Sequence, residues 1–131
     1  MIAREIAESE VNGWLDYMGI SASLKKTHNP SVEKMIDAVE AGTLVINDDK
    51  TLLQKMVYPF GAETKITELK YKPTLTVGEV NNHKASLDMT NPQFSTFAYL
   101  GASTGQPVSV LFKMDTRDFK LCDNIVLFFI L

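Results

Sequence analysis

The chain has 131 residues, 45% apolar and 22% charged, the size and composition of one globular domain with no room for two of ordinary size. Thirteen basic against sixteen acidic residues leave a net charge of −3, which lacks the basic footprint of a nucleic-acid binder. One cysteine, Cys122, and two histidines exclude an internal disulfide and a closed thiolate zinc site, and they fit a reducing cytoplasm.

The opening Met1-Ile2-Ala3-Arg4-Glu5 lacks the long apolar run of a signal peptide. The continuous apolar stretch Ile125 to Leu131 is far below the ~20 residues that a membrane-crossing helix needs. Secretion and membrane insertion are therefore not indicated, and the expectation is a cytoplasmic protein.

Ile2, Ala3, Ile6, Ala7, Val11, Trp14, Leu15 and Met18 form the stripe of an amphipathic helix that stops at Gly19. Ser21 to Asn29 is polar, with Lys25, Lys26 and His28, and reads as a connecting loop or short turn. Asn29-Pro30 then opens a second helix carrying Val32, Met35, Ile36 and Val39 up to Gly42.

Past Gly42 the periodicity changes. Thr43-Leu44-Val45-Ile46 is mostly β-branched and runs into the turn residues Asn47-Asp48-Asp49. Leu52 to Tyr58 and Ile66 to Tyr71 read as two further strands around a loop containing Pro59 and Gly61. On the second, Thr67, Leu69 and Tyr71 share one face, while Glu68, Lys70 and Lys72 take the other. A small antiparallel sheet, solvated on one side, follows.

Thr76-Val77-Gly78-Glu79 is a capping box that starts a third helix reaching about Leu87. Asn91-Pro92 leads a fourth, with Phe94, Phe97, Ala98 and Gly101 on one side before Gly105 and Pro107. Val108 to Met114 fits either a helix or a strand, and Asp115 with Asp118 opens a last helix whose first-turn acids suit its positive end. The sum is a mostly helical α+β single domain, residues 1–131, of about five helices with a small hairpin sheet. A helix-helix-hairpin half runs to about Pro73 and a helical half covers 74–131.

No motif of fixed catalytic geometry is present: neither a nucleophile elbow, a phosphate-binding glycine loop, a dinucleotide fingerprint nor a zinc-protease helix. His83 reads as a solvated helix residue, His28 as loop surface, Cys122 as a small core hydrophobe, and Asp48-Asp49 as a turn. Asp115, Asp118 and Asp123 read as helix-start and surface charges. Lys25, Lys26, Lys70 and Lys72 are too balanced by acids to track phosphates. No catalytic residue, metal or cofactor is assigned.

The terminal run Ile125-Val126-Leu127-Phe128-Phe129-Ile130-Leu131 is apolar all round, whereas a helix in a small domain normally offers one face to the core. Part of it needs other cover, from the first helix, a second copy or a client protein.

The order of a helical lead-in, Leu52-Leu53 running to Tyr58-Pro59, a loop, Thr67-Glu68-Leu69-Lys70-Tyr71-Lys72-Pro73-Thr74, a capped helix, a proline-led segment and Asp115 followed by Ile125 to Phe129 resembles the tail assembly chaperones of long-tailed bacteriophages. The resemblance covers about residues 44–131 and departs from the family where Lys70 and Lys72 stand, since an arginine is common there. It implies a non-enzymatic phage or prophage protein in the host cytoplasm. Such a protein binds and solubilises the tape-measure protein, helps recruit tail-tube subunits, and is often made in a short and a frameshift-extended form. Phe119, Ile125, Phe128 and Phe129 are the expected client contacts, against the alternative that all four are core. A competing reading is a virion tail or head-tail connector subunit that self-associates into rings. A third reading assembles an acid-base site from His28, His83 and Asp115.

Overall fold

The computed structural model describes residues 2–85 and 87–131. The elements are α1 (Arg4–Tyr17), α2 (Ala22–Thr27), α3 (Asn29–Ala41), β1 (Leu44–Ile46), β2 (Leu52–Phe60), β3 (Ile66–Tyr71), α4 (Val77–Lys84), α5 (Gln93–Thr104), α6 (Val108–Leu111) and α7 (Thr116–Ile130). This is the mostly helical α+β architecture expected, with two short helices added to the five. One of them, α2, replaces the expected loop: the Ser21 hydroxyl accepts from the Leu24 amide at 3.2 Å, and Lys25 ties back to Asp16. The other, α6, settles the ambiguous run from Val108 as one helical turn led by Pro107.

The local signals hold where the chemistry is local. α3 ends on Gly42 at φ +85°, a left-handed position that costs glycine little. α4 carries the full capping box, with Glu79 N–H donating to Thr76 Oγ1 at 3.1 Å. It closes at Lys84, earlier than the expected Leu87, and Ser86 lies outside the described residues. α7 is capped by Asp115, whose carboxylate accepts from the Arg117 amide at 2.8 Å.

The sheet is antiparallel in the order β1-β2-β3. Its register pairs Leu52 with Tyr71 and Gln54 with Leu69. Leu52, Gln54, Met56, Leu69 and Tyr71 are buried on one face while Lys55, Glu68 and Lys70 face solvent, the alternation of a half-covered sheet. Regular pairing of β2 with β3 breaks between Lys55 and Phe60.

α7 is the central helix, packed against α3, α5 and β2, and Trp14 of α1 meets Phe129 edge to face at 5.8 Å. That crowding explains how the domain covers most of an all-round apolar helix. Ile125, Val126 and Phe128 are buried, and Ile130 and Leu131 are exposed. One apolar cluster runs from Ala7 to Phe128, and a smaller one joins Val80 of α4 to Ala98 and Ala102 of α5.

A polar knot lies inside this core. Gln54 Nε2 donates to the Asp118 carbonyl at 3.1 Å, Tyr71 Oη donates to Gln54 Oε1 at 2.6 Å, and the Cys122 thiol lies 3.2 Å from the same oxygen. Cys122 is thus core, as expected, but as a partner of a buried amide as well as a hydrophobe. Burial pushes its thiol up to about 12, and burial also raises the Tyr71 phenol well above its ordinary value.

Candidate functional site

Between the end of α1, the β3–α4 connection, α4 and α5 lies a groove of about 490 Å³. α4 builds one wall: Val77, Val80, Asn81 and Lys84 line it, and their i, i+3, i+4, i+7 spacing places them on one helical face. The capping box fixes where that face begins. Leu75 and Val77 flank the start of α4, Phe129 comes from α7, and Tyr17 with Met18 comes from the end of α1. Val77 is 79% exposed and Tyr17 is 55% exposed, so apolar surface stands open to solvent at the rim. Lys84 is the only charged side chain in the lining. Its Nζ sits 5.8 Å from the Tyr99 ring centroid, and no carboxylate lies within ion-pair distance of it among the described residues.

The structure divides the four expected client contacts. Phe129 lines the groove and is half-buried. Phe119 is half-buried elsewhere, stacked on Phe97 at 4.9 Å in a column that continues to Phe112 at 4.7 Å from Phe97. Ile125 and Phe128 are 0% and 1% exposed. Presenting both to a client would forfeit roughly 1.5–3 kcal/mol each, a large part of the ~5–15 kcal/mol by which a domain is stable. These two are core. Sequence reasoning missed Tyr17, Val77, Lys84 and the 49%-exposed Phe112; the stripe from Val77 to Lys84 was the signal available for two of them.

Asp118 is not a surface charge. It is 6% exposed, and its carboxylate accepts from the amides of Val57 at 3.1 Å and Tyr58 at 2.8 Å. Those are consecutive amides of β2 in the stretch where pairing with β3 fails, so the carboxylate takes over the acceptor role that a strand would fill. Arg117 alongside lies over the Tyr58 ring, 3.5 Å from its centroid, while also bonding both oxygens of Asp115. The Arg117 contacts hold the Asp115 carboxyl down to about 2.

His83 likewise departs from the solvated reading: it is half-buried, with Nδ1 3.0 Å from the Glu79 carbonyl. Its ring lies where a Cβ on Gly101 would clash with Cδ2, so the glycine leaves room for the His83 ring between α4 and α5. Asp115 lines a cleft with Tyr58 and Lys113, His83 lines another with Phe112, and His28 sits at the junction of α2 and α3. The acid-base reading requires one shared pocket, and these are separate settings. Asp49 accepts from the Thr51 amide and hydroxyl, the turn expected of it, and those bonds lower its pKa. No group of three or more acidic, histidine or cysteine side chains able to hold a metal occurs among the described residues, and no helix among them is long and apolar enough to cross a membrane.

Compared with family models, curated proteins and solved structures, the chain matches none.

Proposed function

We propose that this chain is a non-enzymatic, chaperone-like binding protein of the phage tail-assembly type. In this reading it acts in the host cytoplasm and keeps a helical segment of the tape-measure protein soluble until tail-tube subunits displace it. The observation that carries the reading is the open groove, whose lining is half apolar and half polar, with Phe129 inside and with Val77 and Tyr17 exposed at its rim. An amphipathic client helix buries its apolar stripe in such a groove, and release needs only competition, because the groove is formed before the client arrives. Phe119 and its exposed neighbour Phe112 offer a second apolar contact within the same reading.

The test is co-expression with a tape-measure protein encoded beside this chain's gene, followed by size-exclusion chromatography with light scattering. The expected result is a soluble complex where the client alone precipitates, and weaker retention with Val77→Asp, a substitution at a solvent-facing position that leaves the core intact. Precipitation of the client regardless of this chain overturns the proposal. A closed ring formed without any client would instead favour the structural tail or connector subunit.

A further inference from the structure

We propose that the groove is directional: it takes about two turns of an amphipathic helix whose apolar stripe ends in a carboxylate, and Lys84 receives that carboxylate. The inference rests on the helix-binding reading above and names the chemistry of the bound segment. α4 has eight residues, which at ~1.5 Å per residue make a wall of about 12 Å, the length of two turns of a client helix. Along that wall the lining changes character. Thr74, Leu75, Thr76 and Val77 stand at the N-terminal end of α4, while Asn81 and Lys84 stand at the C-terminal end. An apolar stripe laid along α4 therefore meets uncharged side chains first, Leu75 and Val77 among them, and an ammonium last.

Charge complementarity sets the sign. Lys84 is the sole charge in the groove, and the Tyr99 ring face at 5.8 Å steadies the ammonium without neutralising it. A lysine or arginine at the end of the client stripe would face a like charge in a partly desolvated site, whereas a glutamate or aspartate would complete a pair. The cleft between α3 and α7 differs in this respect, because it mixes both signs, Lys34, Arg117 and Lys120 against Asp37 and Asp123.

The test uses two stapled helical peptides with the same leucine stripe, one ending in glutamate and the other in lysine, titrated against the whole protein by calorimetry. Trp14 emission gives a site-specific second readout, because this single tryptophan touches Phe129 edge to face at 5.8 Å and Phe129 lines the groove. The glutamate peptide is expected to bind about fivefold tighter, the ratio at the upper end for one exposed pair. Lys84→Glu should reverse the preference and Lys84→Gln should erase it, with Trp14 emission shifting on binding in every case. Equal binding of the two peptides to the wild-type protein, or a preference that survives Lys84→Glu, overturns the inference. A tape-measure complex that forms normally in that event leaves the chaperone reading standing, while loss of both peptide and client binding overturns the two together.

Discussion

Removing the Asp118 side chain should be the most damaging single change to a charged residue in this protein. Asp118→Ala deletes the acceptor of two consecutive β2 amides, Val57 at 3.1 Å and Tyr58 at 2.8 Å. A hydrogen bond to a charged group is worth ~1.5–3 kcal/mol. Because the Val57 and Tyr58 side chains are exposed, water recovers part of the loss, and the low end of that range applies to each bond. The two bonds then amount to about 3 kcal/mol, and loss of an acid from the first turn of α7 adds ~0.3–1 kcal/mol. Asp118→Asn should cost nearly as much, since its amide nitrogen must face one of the two N–H donors. The assay is urea unfolding followed by Trp14 fluorescence, with thermal unfolding in parallel. A loss of 3 kcal/mol corresponds to a fall in Tm of about 10 °C at this chain length. Asp123→Ala is the control, because Asp123 is exposed and has only a 3.5 Å contact with Thr96; it should change stability by under ~0.5 kcal/mol. A loss below ~1 kcal/mol for Asp118→Ala would refute the reasoning, for it would mean that the two β2 amides are as well served by water.

Two further outcomes follow from the titrating groups. Cys122 is fully buried and its thiol is pushed up to about 12, so a thiol-specific reagent at pH 8 should label it only through unfolding, at a rate that rises with urea; prompt stoichiometric labelling of the native protein would contradict the burial. Asp115 has a folded pKa of about 2 against 3.8 for the free side chain, so its stabilising contribution is complete above about pH 5 and is lost as pH falls toward 2. The Tm difference between wild type and Asp115→Asn should accordingly be constant from neutral pH to about pH 5 and shrink below it, and a difference that grows on acidification would show that Arg117 does not hold the carboxylate.

Most of the elements were legible because their causes are short-range. The Thr76/Glu79 box, Pro30 in the first turn of α3, Gly42 at positive φ, and the alternation of Leu69 and Tyr71 against Glu68 and Lys70 each depend on neighbours within four residues, although His28 and not Asn29 takes the cap position of α3, without a side-chain bond. α2 was missed for the complementary reason. Six residues give fewer than two turns, so no apolar period can show, and the helix rests instead on the Ser21 cap and the link from Lys25 to Asp16. A serine three residues before Leu24 was a visible cap, but the ion pair was not visible.

The candidate site was only partly legible, and the division follows sequence separation. Asp118 looks like any first-turn acid until β2 is known to break its pairing, about sixty residues earlier in the chain. Gln54 was the available hint, since it occupies an inward position between Leu52 and Met56, and a buried amide requires polar partners. It finds them in Tyr71, Cys122 and the Asp118 carbonyl. The apolar run from Ile125 misled in a related way. Composition gave its total hydrophobicity, but which residues surface depends on α3, α5 and β2 packing round α7. Ile125 and Phe128 turn inward, and Phe129 lines the groove with its ring edge to face against Trp14. A groove made by four segments of the chain is therefore read best from the element that contributes a whole face to it. Here that element is α4, whose Val77-Val80-Asn81-Lys84 stripe both packs on α5 and leaves Val77 open to solvent.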